Sequence, residues 1–486
     1  MISTLNLHPA LRLRPVLSLL FLLGAWLAIA QEKKVWSLED CIAYAMENNL
    51  QVRKQALAVD LAEQNLLESR AAMLPTLNGN ASHGYNWGRT IDRFTNDFAT
   101  ERVQFNNFYL SSGVYLFNGF RLLNTVKKSR VDLLASRYDV DKMRDDISLG
   151  IAMAYLNILF AEEQLSNIRN QAEITRQQVE RTRKLVEAGT LARGSLLTIE
   201  AQQAQEEKQV VDAENLLEMS YLTLTQMLDL QDFQGFSIQK PALAGEGRPL
   251  PAEGAEAIYT YALEHQPAIK AAELRLESAD RDLAIARSIH SPSLAVQGSW
   301  GTGYSGASKQ LKDFQVTGID TLGFTIEASP VPVGVPAFEY SYEKIPFRDQ
   351  IDQNNNTTLG FYLTVPIFNG FQARSAMQRA RIGLQNAEYD LQLQKNQLFK
   401  DIQQSHADAQ ASLKRWKAAL TSRNALEESF SYTEQRFNVG MVTSVEYNDA
   451  KNKLAQSGSE VLQAKYEHIF RTTILDYYLG KPISLK

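Results

Sequence analysis

The chain has one cysteine, Cys41, in 486 residues, which excludes an intramolecular disulfide and a cysteine metal cluster. Its histidines, His8, His83, His265, His290, His406 and His468, form no i, i+4 pair of the kind that binds zinc, and neither a nucleophile elbow nor a phosphate-binding loop occurs. Gly301-Thr302-Gly303-Tyr304-Ser305-Gly306 fits the spacing of a dinucleotide fingerprint. The residues after Gly306 read as an irregular loop, so no helix N-terminus is expected to hold phosphates there. No enzyme activity, cofactor or metal is therefore expected. Basic residues are not in excess: the net charge is −5, which leaves no nucleic-acid footprint.

Long apolar runs are also scarce. Arg12 and Arg14 precede an apolar run from Val16 to Leu27 and the small-residue site Ala28-Ile29-Ala30. That order predicts a signal peptide over residues 1–30 and a mature chain starting near Gln31. Beyond it no stretch approaches the ~20 apolar residues of a membrane helix. A mature chain that enters a bilayer must then do so with strands closed into a barrel.

The chain does contain a duplication. Residues 108–230 align with 359–481 at a constant offset of 251 without a gap, so Phe117-Asn118-Gly119-Phe120 meets Phe368-Asn369-Gly370-Phe371 and Gly189 meets Gly440. Upstream the offset is 217, with Tyr44 against Tyr261 and Pro75 against Pro292. The change leaves 34 extra residues between Leu294 and Leu359. The chain thus divides into a first repeat over 31–230, a linker over 231–251 rich in proline and glycine, and a second repeat over 252–486. Each repeat reads as helix, strand, loop, strand, very long helix, tight turn and returning helix.

Period-two alternation places strands at ~76–88, ~107–117, ~293–304 and ~357–368. Leu77, Leu294, Val296, Leu359, Phe361, Leu363 and Val365 belong to their greasy side and are read as lipid-facing, against one wet side. Each strand has about the length that a tilted transmembrane strand requires. Four strands separated by long helical stretches leave two open edges as a sheet, and several copies closing one barrel remove them. Tyr85, Trp87, Phe117, Trp300, Tyr304 and Phe368 are expected as interfacial girdles, whereas Phe120 and Phe371 are expected to pack as core beneath the strands.

Proline is absent and glycine occurs once, at Gly150, between Phe120 and Val186, which predicts a rod of roughly 100 Å at 1.5 Å per residue. Apolar residues recur every seven, through Val126, Leu133, Val140, Ile147, Ala154, Ala161 and Ile168, the spacing of a coiled coil. Turns are expected at ~187–195 and ~438–446, where Gly189 and Gly440 act as left-handed caps. Glu446 and Asp449 are three apart and share a helix face. Where several copies share one barrel they form rings of negative potential, or they simply complement a helix dipole.

The doubled unit, the Leu-Phe-Asn-Gly-Phe strand exit and the turn Phe437-Asn438-Val439-Gly440-Met441-Val442-Thr443-Ser444-Val445-Glu446-Tyr447-Asn448-Asp449-Ala450 resemble the TolC family of outer-membrane efflux factors over essentially the whole mature chain. The resemblance implies a mixed transmembrane β-barrel and long α-helical barrel, in which a homotrimer forms a 12-stranded barrel and a periplasmic coiled-coil tunnel. It also implies a passive outer-membrane channel of a tripartite efflux or type I secretion system, with a periplasmic adaptor protein, an inner-membrane transporter and outer-membrane lipid as partners. Gly189, Leu191, Arg193, Gly440, Met441 and Val442 would then lie where an adaptor docks, Glu446 and Asp449 at the periplasmic gate, and Phe437 as a gate aromatic. Phe437 and Val442 depart from the family's tyrosine and arginine. In such a barrel the grown loop, ~305–356, lies outside the cell and by default shields the rim. The competing reading is a periplasmic coiled-coil scaffold or surface interaction protein without a pore.

Overall fold

The computed structural model describes residues 35–100, 102–230, 235–241 and 249–484. The signal-peptide segment, residues 1–30, and most of the linker, at 231–234 and 242–248, lie outside the described residues.

In chain order the first half comprises β1 (Val35–Trp36), α1 (Leu38–Asn48), α2 (Leu50–Ala71), β2 (Thr76–Asn86), β3 (Thr90–Ile91), β4 (Phe98–Ala99), β5 (Val103–Phe117), α3 (Arg121–Glu187) and α4 (Arg193–Met227). After β6 (Ser237–Ile238), the second half runs α5 (Ala255–His265), α6 (Pro267–Arg287), β7 (Ser293–Ser305), β8 (Lys309–Phe324), β9 (Pro332–Lys344), α7 (Phe347–Gln353), β10 (Asn356–Thr364), α8 (Gln372–Asn438) and α9 (Ser444–Tyr478). The helices α3 and α8 have 67 residues each, and α4 and α9 have 35 each. Among the described residues, no helix is long and apolar enough to cross a membrane.

The helix expected before each first strand is broken in two. Asn49 ends α1 in an extended conformation, and its side-chain oxygen accepts the backbone N–H groups of Gln51 and Val52 at 2.9 and 3.2 Å, which caps α2. At the corresponding place Gln266 precedes Pro267, whose ring disfavours helical backbone in the residue before it. Gln266 is accordingly extended.

The chain forms two compact units. Among the described residues, one comprises 35–59, 136–230, 235–241, 249–272 and 391–484 and is helical apart from the short parallel pair β1–β6. Its main core joins Ile147, Ile151, Tyr155 and Ile158 of α3, successively four, four and three residues apart, to Leu224 and Leu228 of α4 and to Leu38, Cys41 and Ala45 of α1. The Tyr155 hydroxyl reaches the Gln239 carbonyl at 2.5 Å and so ties the linker strand to this core. A smaller core joins Ile258 and Ala262 of α5 to Ile402, Ala409 and Leu475.

The other unit, residues 60–135 and 273–390, carries an antiparallel sheet in the order β10-β7-β5-β2. Cross-strand register puts Leu363 beside Leu294, Phe361 beside Val296, and Leu77 beside Ser112 in the row that runs through Gly298 to Leu359. Leu77, Leu294, Val296, Leu359, Phe361 and Leu363 therefore share one face. Thr358, Ser299, Ser111 and Asn78 form a row on the other. Val365 does not join the first group, because β10 ends at Thr364 and not near 368. Pro366 lacks the N–H that would continue the ladder.

The strand exits bend through two successive left-handed residues, Gly119 and Phe120 at φ 66° and 63°, and Gly370 and Phe371 at 61° and 63°. A Cβ on Gly119 would come within 2.5 Å of Ser291 Cβ, so glycine is required there for space as well as conformation. The expectation that Phe120 and Phe371 are core is not met: they are 60% and 61% exposed, with their rings edge-on to Phe117 and Phe368. Nor is 305–356 an irregular loop, for it folds as the antiparallel β8–β9 hairpin followed by α7. Gly301 and Gly303 of the apparent fingerprint lie inside β7. They are small because Tyr109 crosses one and the Phe94 ring and Asn106 carbonyl crowd the other.

Candidate functional site: the helix turns and the two-faced sheet

Both long helices end in the same way. Gly189 has φ 71° and Gly440 has φ 77°. The N–H of Gly189 donates to Val186 O at 3.0 Å and that of Thr190 to Leu185 O at 2.9 Å; Gly440 donates to Phe437 O and Met441 to Arg436 O in the same pattern. Each glycine thus closes a Schellman cap and turns the chain back.

The restart differs between the turns. Thr443 accepts the N–H of Glu446 while the Glu446 carboxylate accepts the N–H of Thr443 at 3.1 Å, a reciprocal capping box. At α4 the N-cap is Ala192, which makes no side-chain bond. Leu191, Arg193 and Met441 are exposed and Val442 is half-buried. Glu446 thus carries a capping role, and Asp449 accepts from Lys453 at 2.7 Å. Both acids remain exposed. Phe437 does not stand free: its ring stacks on Tyr447, centroids 4.6 Å apart. Burial, with Glu434 nearby, raises the Tyr447 hydroxyl above the usual tyrosine range.

Below these turns lies a polar cluster that sequence reasoning missed. Lys451 of α9 and Glu206 of α4 are 4% and 2% exposed and pair at 3.4 Å. Thr175 of α3 bonds to both, Lys451 also donates to Gln171 O at 3.2 Å, and Gln202 donates to Glu206 at 2.8 Å. Burial pulls the Lys451 ammonium below the usual lysine range despite the Glu206 carboxylate. A signal was present: the seven-residue seam through Ile168 continues as Thr175 and Thr182, and on α4 Glu206 falls midway between Ile199 and Ala213. Thr175, Thr182, Ile199, Glu206 and Ala213 are all buried.

The sheet is the other candidate surface. Leu77, Leu359, Phe361 and Leu363 are 75%, 71%, 69% and 67% exposed. Its edges β2 and β10 have no further partner strand among the described residues. Among the described residues no group of three or more His, Cys, Asp or Glu side chains is placed to hold a metal ion.

Long paired helices and a sheet with one greasy and one wet face define a channel protein of the outer membrane, of the efflux or secretion class. The chain belongs to the outer membrane efflux protein family, whose model matches residues 42–229 and 258–480. It is 24% identical over 455 residues to the outer membrane protein TolC of Vibrio cholerae, covering 92% of this chain and 91% of that one. It is 20% identical to the alkaline protease secretion protein AprF of Pseudomonas aeruginosa, covering 95% and 88%. Among solved structures, the outer membrane channel CmeC of Campylobacter jejuni shares the fold with a TM-score of 0.74 at 15% identity, over 94% of this chain and 92% of that chain.

Proposed function

We propose that three copies of the chain close a 12-stranded antiparallel barrel in the outer membrane and conduct substrates passively from an inner-membrane transporter and its periplasmic adaptor. The observation that carries this reading is the four-stranded sheet, which among the described residues has both edges open and its apolar face uncovered. In water such a face and such edges are a liability, whereas lipid on one side and an aqueous bore on the other satisfy both. Strand directions permit closure. β2 and β10 are antiparallel through the intervening strands, so the β10 edge of one copy can continue the ladder with β2 of the next.

The chain divides in this reading into two repeats, 31–230 and 252–486. Support comes from α3 and α8, and α4 and α9, which match in length and start 251 residues apart. The turns carry the periplasmic end. Gly189, Leu191, Arg193, Gly440, Met441 and Val442 present the tips on which an adaptor docks. Glu446 and Asp449 supply negative charge there, moderated by Lys453, and Phe437 acts through its stack on Tyr447. Leu77, Leu294, Val296, Leu359, Phe361 and Leu363 face lipid, with Val365 just past the strand end.

Sedimentation of the detergent-purified mature protein tests the assembly. A protein mass of three chains is expected, and a monomer refutes the shared barrel.

A further inference from the structure

The β8–β9 hairpin carries large apolar side chains that are exposed. Its strands have 16 and 13 residues, and a two-stranded hairpin alone is marginal in water. Nevertheless its root is firmly fixed. Gln350 of α7, 1% exposed, accepts the Ser305 N–H at 2.9 Å and donates to the Ser305 and Ile345 carbonyls, while Asp92 bonds to the Ser305 hydroxyl.

Register gives the hairpin one greasy face. Leu311 lies opposite Tyr342, Phe314 opposite Tyr340 and Val316 opposite Phe338. On the other face Asp313 lies opposite Ser341 and Gln315 opposite Glu339. Spacings of three, from Leu311 to Phe314 and from Val316 to Ile319, would normally alternate faces. Register shifts between Leu311 and Asp313 and between Val316 and Gly318 absorb one residue each and keep all four on one side. Those four are 49–77% exposed.

Its position in the sheet selects the occupant. The hairpin joins β7 to β10, and β10 is an edge. In the closed barrel proposed above, on which this inference rests, the strand beside β10 is the next copy's β2. The connection from β2 to β5 therefore arrives alongside the hairpin. It carries Trp87, Ile91 and Phe98, exposed at 73%, 56% and 65%. A face that needs cover whenever the chain is assembled is best met by a surface that every assembly supplies.

We propose that the apolar face of the β8–β9 hairpin clasps the 87–98 connection of the adjacent copy, locking neighbouring copies together at the end of the sheet opposite the strand exits. The test places the photo-crosslinker p-benzoylphenylalanine at Phe314, or at Gln315 as the opposite-face control, in the full chain in intact cells. Illumination at 314 should give covalent dimers and trimers of this chain, with the crosslink mapping to 87–98 by mass spectrometry, and position 315 should not. Crosslinks at 314 only to lipid, to a different protein or within one copy overturn the clasp. The paired variant Phe314→Ser, Tyr340→Ser should lower the temperature at which the trimer dissociates in detergent by several degrees, and an unchanged temperature overturns it equally. Sedimentation of the unmodified protein separates the two claims. A trimer without these crosslinks sinks the clasp alone, whereas a monomer sinks the barrel as well.

Discussion

Lys451 Nζ and Glu206 Oε1 lie 3.4 Å apart, with both side chains almost wholly withdrawn from solvent. Through Thr175 they join α3 and α4 to α9 just below the turns. Breaking a buried pair leaves an uncompensated charge and typically costs about 3–5 kcal/mol, whereas replacing both partners by apolar residues is often neutral. Lys451→Met should therefore destabilise the hairpin tips by that order, and Glu206→Met with Lys451→Met should recover most of it. Amide hydrogen exchange over α4 measures both. Equal loss in the single and double variants would contradict the pairing.

A second titrating contact lies deeper in the helical unit. Burial, assisted by Asp141 and Asp146, raises the Asp145 carboxyl above the usual aspartate range although the Tyr477 hydroxyl favours its ionised form. The folded chain thus holds this proton more tightly than the unfolded one. The associated stabilisation is present at low pH and is lost as pH rises from the ordinary value of 3.8 through the raised folded value. Asp145→Asn should remove that slope and melt higher than the parent protein at neutral pH. Thermal denaturation across the acid range checks the sign.

The two turns offer a comparison within one molecule. Gly440→Ala forces a Cβ into left-handed backbone at about 1–2 kcal/mol, and Thr443→Ala removes a cap worth roughly 1 kcal/mol. At the first turn, Ala192→Ser should instead add about 0.5–1 kcal/mol, since α4 has no side-chain cap. Limited proteolysis at the tips should rank the variants in that order, with Ala192→Ser the most resistant.

Charge at the second turn should be visible in ion selectivity. Asp449→Asn removes a carboxylate and frees Lys453, so it should reduce preference for cations more than Glu446→Gln, whose partner is the Thr443 backbone N–H. Reversal potentials under a salt gradient measure the difference. The same potential in both variants and the parent would exclude these acids from the conduction path.

Strand faces, glycine caps and the heptad seams were readable because each depends on spacing within one short segment. Leu359, Phe361 and Leu363 announce a strand face by alternation alone. The β8–β9 hairpin was not readable, since its bulges break the period of two wherever Leu311 and Phe314 or Val316 and Ile319 stand three apart. The break at Asn49 comes from a side-chain cap that the helical pattern masks, and the end of β10 follows from Pro366 overriding an alternation that continues through Val365 and Ile367. Glu206 sits in a seven-residue seam with Ile199 and Ala213, but Lys451 looks like an ordinary solvated charge until the fold brings together positions 245 residues apart.

Conductance of the purified mature protein in a planar lipid bilayer tests the central claim most directly. Discrete current steps of uniform size are predicted as individual trimers insert, with amplitude governed by the helix turns. A membrane that stays electrically silent while the chain remains dissolved without surfactant would contradict the shared barrel and favour a soluble coiled-coil scaffold.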